Sequence, residues 1–106
     1  MRRIYVSGPM TGLPEFNKPA FYAAEAQLQA AGFEVVNPAR NGLPDTAEWH
    51  QHMRADIKML MDCDGVAMLD GWWMSKGARL EKNIADRLGM EVTSLELWLY
   101  SRKGAV

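Results

Sequence analysis

Cysteine is nearly missing from this chain: Cys63 is the only one in 106 residues. No disulfide can close within the chain, and a disulfide-stapled secreted scaffold is excluded, so a reducing cytoplasmic setting is the expectation. An excess of either charge is also lacking. Twelve Lys and Arg stand against 13 Asp and Glu, a formal net charge of -1, which argues against a nucleic-acid polymer as partner. Long apolar runs are absent. The stretch after Arg2 and Arg3 stops at Ser7-Gly8, far short of a signal peptide or a membrane span, so neither targeting nor membrane residence is expected. Repeats, heptads and linkers are lacking too. What remains is ordinary globular usage, 48% hydrophobic and 24% charged. That suits one domain over residues 1–106 with a radius of gyration of roughly 13 Å, too small for a large cleft without a second subunit.

The apolar pattern alternates between two periods. Ile4-Tyr5-Val6, closed by Ser7-Gly8-Pro9, reads as a short strand. Pro19 suits a first helical turn, and Phe21, Ala24, Leu28 and Ala31 follow at helical spacing up to Gly32. Phe33 to Val36 is a second buried strand, ended by Asn37-Pro38. Asp45 and Glu48 resemble a capping box ahead of a helix whose stripe is Trp49, Met53, Ile57, Leu60 and Met61. Val66 to Leu69 is a third strand; a helix from Ser75 through Ile84, Ala85 and Leu88 ends at Gly89. Glu91 to Tyr100 is expected to supply one or two final strands. Short apolar strands alternating with helices imply a mostly parallel sheet of four to five strands between helix layers, a three-layer α/β sandwich of flavodoxin or Rossmann type. Ligands bind such sheets beyond the carboxyl ends of the strands, here Ser7 to Met10, Asn37 to Arg40 and Asp70 to Ser75.

Two acids break the apolar pattern. Positions 49, 53, 56 and 60 share a helix face, so Asp56 falls inside the stripe of Trp49, Met53 and Leu60. Glu81 precedes Ile84, Ala85 and Leu88 by three, four and seven positions and faces inward on the next helix. Carboxylates converging from two helices supply the paired acids that glycosidic bond cleavage uses. The alternatives are a rim position for Asp56 and an ion pair of Glu81 with Arg54, Arg79 or Lys82. Ser75-Lys76-Gly77-Ala78 opens a helix after a strand, where free N–H groups suit an anion and where Ser75 also suits a plain cap. The turn Ser7 to Gly12 is neither a dinucleotide fingerprint nor a Walker loop. Trp72 and Trp73 offer faces for a base or sugar, or a subunit contact. His50 and His52, two apart on a helix, make a poor metal pair, and Cys63 has no evident base, so none of the three receives a role.

Tyr5-Val6-Ser7-Gly8-Pro9-Met10-Thr11-Gly12, then Asp56 with Leu60 and Asp64-Gly65-Val66, then Ser75-Lys76-Gly77-Ala78-Arg79-Leu80-Glu81 resemble the three motifs of the nucleoside 2-deoxyribosyltransferase superfamily. The similarity covers residues 4 to about 93. It is nearest to small phage and prophage proteins and extends to the 2′-deoxynucleoside 5′-monophosphate N-hydrolases. The resemblance implies a flavodoxin-like fold, a homodimer or higher homo-oligomer with sites near subunit interfaces, and a deoxynucleoside or deoxynucleotide substrate; no cofactor or metal is expected. It makes Glu81 the nucleophile at the anomeric carbon and gives Asp56 the proton on the leaving base. Tyr5 would orient Glu81, Ser75 and Gly77 would hold a 5′-phosphate, and Ser7, Gly8 and Met10 would line the pocket, with Trp72 beside it. Thr11 stands where the hydrolases carry an arginine for phosphate, leaving Lys76, Arg40 and Arg79 as the other cations. The expected activity is an N-glycosidase working through a covalent Glu81 glycosyl-enzyme. Transfer to a second base and non-catalytic nucleotide binding are the alternatives.

Overall fold

The alternating pattern resolves into one sheet, described by a computed structural model over residues 2–104. Strands β1 (Arg3–Ser7), β2 (Glu34–Val36), β3 (Gly65–Met68) and β4 (Glu91–Ser94) lie in the order β2-β1-β3-β4, and every neighbouring pair is parallel. Parallel neighbours need crossovers, and helices α1 (Lys18–Ala30), α2 (Trp49–Leu60) and α3 (Lys76–Arg87) supply them. The result is a flavodoxin-like three-layer sandwich.

Side chains along a strand alternate between faces, and β1 shows what each face holds. Ile4 and Val6 pack with Phe21, Ala24 and Leu28 of α1 and with Trp98. Tyr5 faces the other way, with Leu60 of α2 and Ala78 and Ala85 of α3. Both faces of the central strands are therefore covered, which is why their sequence reads as unbroken apolar runs.

The last expected strand is a helix instead. After β4, Ser94 Oγ accepts from Leu97 N at 3.1 Å and α4 (Leu95–Gly104) begins. Trp98 is buried, and its indole Nε1 donates to the Val66 carbonyl at 2.8 Å. The sheet thus stops at four strands. Helix boundaries shift as well. Asp45 does not cap α2; it takes Lys18 Nζ at 2.7 Å, while Glu48 is the N-cap and its N–H donates to Gln51 Oε1 at 2.9 Å. The buried stripe of α2 is Met53, Asp56 and Leu60, narrower than expected, because Trp49 and Met61 reach solvent. On α3 the stripe is Ala78, Glu81 and Ala85, and Leu88 lies exposed at the helix end.

The chain goes from β1 outward to β2, then crosses back to β3 on the other side of β1. That reversal opens a crevice beyond the carboxyl ends of β1 and β3. Gly8 sits at its floor, where a Cβ would come within 2.7 Å of Leu69 Cβ. Among the described residues no helix is long and apolar enough to cross a membrane.

Candidate active site

Glu81 is positioned by two side chains that lie two apart on one strand and so point the same way. The Tyr5 hydroxyl donates to Glu81 Oε2 at 2.5 Å, and Ser7 Oγ donates to Oε1 at 2.7 Å. The inward stripe of α3 brings this carboxylate over the Tyr5 face of β1, and Glu81 is 5% exposed. Burial disfavours its charge and pushes its pKa up to about 7, with Asp56 adding to the rise and the two hydroxyls opposing it. Tyr5, buried beside this carboxylate, has its own pKa pushed well up and stays a neutral donor.

Asp56 is 6% exposed in the stripe of α2. Its Oδ1 accepts from Asn41 Nδ2 at 2.9 Å. Burial raises its pKa to about 6 against the pull of that hydrogen bond and of His52. Neither Asp56 nor Glu81 takes part in any ion pair found among the described residues, so the arginine and lysine partners weighed for Glu81 are not engaged. Arg54 and Arg79 are exposed, and Lys82 bonds Asp86 at 2.7 Å.

Both acids line one cavity, at the crevice, of about 160 Å³ and partly open to solvent. Gly8, Met10, Thr11, Ser75 and Gly77 share the lining, as their strand-end and helix-start positions suggest. Ser75 Oγ caps α3 by accepting from Ala78 N at 3.1 Å. Gly77 makes room for α2: a Cβ there would stand 3.0 Å from Met53 Sδ.

Other expected residues lie elsewhere. Tyr5 and Ser7 are behind the lining, bonded to Glu81 and 0% exposed. Trp72 is not in the lining; it packs half-buried against the core cluster on the Tyr5 face of the sheet and edge-on to Trp73, with ring centres 6.1 Å apart. Of the cations, Arg40 is held by Glu25 at 2.8 Å and Lys76 lies 4.5 Å over the ring of Trp49, a lining residue. Lys18 also lines the cavity, paired with Asp45. Cys63 is buried, with its thiol pushed up to about 12, and is no nucleophile.

Sequence reasoning missed Asn41 and His52. Asn41 reads as a turn residue before Gly42, and it does accept from Leu43 N at 2.9 Å. Its amide nitrogen also stands 3.0 Å from His52 Nδ1, and both residues line the cavity. The available signal was the 3.6-residue period, which places His52 four positions before Asp56 on one face of α2. Phe16, another lining residue, belongs to three successive left-handed residues, Glu15 to Asn17, with φ of 54°, 53° and 58°. This strained turn is tied down by Asn17 Nδ2 donating to Pro9 O at 2.9 Å. Among the described residues no three His, Cys, Asp or Glu side chains gather as a metal-binding set.

No curated protein matches the chain. The family described as a domain of unknown function, DUF4406, matches residues 2–94. The chain belongs to the DUF4406 family, and the match runs from β1 to the end of β4, which includes both acids and all the side chains bonded to them.

Proposed function

We propose that this protein is an N-glycosidase that releases the base from a 2′-deoxynucleoside or its 5′-monophosphate. The observation that carries the reading is the pair Asp56 and Glu81: two buried carboxyl groups, free of cations, lining one cavity with different donors on each. Two hydroxyl donors on Glu81 favour its ionised form, but burial gives it the higher pKa of the two, so the reactive form, Glu81 ionised and Asp56 protonated, is the smaller share of the singly protonated pair.

In the first step a Glu81 carboxylate oxygen forms a bond to the anomeric carbon. The bond from that carbon to the base nitrogen breaks, its electron pair stays on the base, and Asp56 gives the base its proton. Water then attacks the same carbon, Asp56 takes the water's proton, and the ester to Glu81 breaks to free 2-deoxyribose. An acceptor base in place of water gives transfer.

Incubation with a panel of deoxynucleosides and their 5′-monophosphates, with free base followed by chromatography, tests the reading. Base release that disappears in Glu81→Ala is expected. No release from any substrate contradicts it, and a new nucleoside formed on adding a second base assigns the transferase. Gel filtration checks the homo-oligomer that the superfamily resemblance implies.

A further inference from the structure

The loop between β2 and α2 carries a hydrogen-bond chain with a fixed direction. The Pro44 carbonyl can only accept, and it lies 3.2 Å from His52 Nε2. The proton of neutral His52 is therefore on Nε2, and Nδ1 is an acceptor. Nδ1 faces the Asn41 amide nitrogen at 3.0 Å, and the same nitrogen donates to Asp56 Oδ1 at 2.9 Å. On the other side, the Asn41 oxygen accepts from Leu43 N at 2.9 Å. A flipped amide would set oxygen against a carboxylate and an imidazole lone pair, and N–H against N–H. The amide of Asn41 thus has one permitted orientation, its nitrogen donating to two acceptors and its oxygen accepting from one donor.

This has a consequence for Asp56. Its Oδ1 faces a donor, so a proton on Asp56 is driven to Oδ2. No buried side-chain oxygen among the described residues is without a partner, and no hydrogen bond engages Oδ2, so Oδ2 opens onto the cavity. We propose that Asn41 is the positioning residue of Asp56, that it places the transferable proton on the oxygen facing the ligand, and that His52 fixes its amide. This rests on the reading of Asp56 as the proton donor. The titratable groups facing Asp56 are His52 on its own helix, Glu81 from α3 and Tyr5 from β1.

The test compares Asn41→Ala, His52→Leu and His52→Asn, the last keeping an amide oxygen where Nδ1 accepts. Carboxyl ¹³C NMR titration of the free protein reads Asp56 directly. Loss of the Asn41 donor moves its midpoint up by about one pH unit. On a deoxynucleoside, kcat falls about 10- to 100-fold with KM little changed, because general-acid assistance is lost. On a 2-deoxyriboside with a nitrophenolate leaving group, which departs without a proton, the loss shrinks to within about threefold. His52→Leu follows Asn41→Ala, and His52→Asn retains most of the activity. An Asp56 midpoint unmoved in both Asn41→Ala and His52→Leu overturns the proposal, as does an equal loss on both substrates. If the native protein turns over nothing, the glycosidase reading fails, while the titration still decides whether Asn41 holds Asp56.

Discussion

The hydroxyl of Tyr5 and the carboxylate of Glu81, 76 positions apart in the chain, meet at 2.5 Å in a buried site. Strand β1 supplies this donor, and Ser7 supplies the second from the same face. Asp56 has one amide donor and an open oxygen. The proposed division of roles between the two acids rests on the difference between these surroundings.

Tyr5→Phe removes the donor on Oε2 and leaves the ring in the core. Turnover is expected to fall about 10- to 100-fold, and the Glu81 midpoint to rise, since a hydrogen bond to the charged form is lost. Urea unfolding at pH 7 should show a stability loss of about 1–2 kcal/mol. An unchanged Glu81 midpoint would show that the contact does not tune the carboxylate.

The rate should depend on pH as a bell. The proposed reaction needs Glu81 ionised and Asp56 protonated; with values of about 7 and about 6 that form is a minority of the protein at every pH and is greatest between the two, where the rate should peak. A stopped assay over pH 4 to 9 checks it; a rate that rises steadily to pH 9 contradicts the need for a protonated acid.

Both acids also make stability depend on pH. Each has a folded pKa above its unfolded value, so between about 4 and about 7 the folded state binds more protons and stability falls as pH rises. The contribution is full below the unfolded values and lost above the folded ones. Asp56→Asn, which keeps an oxygen for Asn41, should unfold at higher urea than the native protein at pH 8, by about 2–3 kcal/mol. That advantage should vanish at pH 4. A variant less stable than the native chain at pH 8 would show that Asp56 does not carry this penalty.

Gly8→Ala should be destabilising. Its Cβ would sit 2.7 Å from Leu69 Cβ, on two adjoining strand ends with little room to shift. A loss of about 1–3 kcal/mol in thermal or urea unfolding is expected, together with a distorted cavity floor. Native-like stability would mean that the β1 and β3 ends yield easily.

Much of this was legible in the sequence, for physical reasons. Strands covered on both faces must be apolar at every position, which marks Ile4 to Val6 and Val66 to Leu69. Asp56 and Glu81 stood out because each breaks a helical stripe, and both are buried. The end of the chain was less legible: Val92, Thr93, Leu95, Leu97 and Trp98 suit a strand by type. The helix rests on the Ser94 cap and on the spacing of Leu95, Trp98 and Leu99, which pack on the core. Trp72 looked like a ligand face because its loop follows β3, yet it packs half-buried against the core cluster, with Lys82 Nζ 5.5 Å over its ring, while Trp73 is 54% and Met74 80% exposed. Asn41 meets Asp56 through a loop conformation, which no periodicity encodes, whereas His52 sits on α2 four positions before Asp56, a spacing that the helical period does carry.

The central claim is a covalent bond between Glu81 and the sugar. Intact-protein and peptide mass spectrometry after incubation with deoxynucleosides carrying a 2-fluoro group, which slows the second displacement, measures it directly. The account predicts one added fluorodeoxypentosyl mass on the peptide containing Glu81, present in the native protein and absent in Glu81→Ala. An adduct that persists in Glu81→Ala, or base release from the native protein with no adduct under any condition, would contradict it.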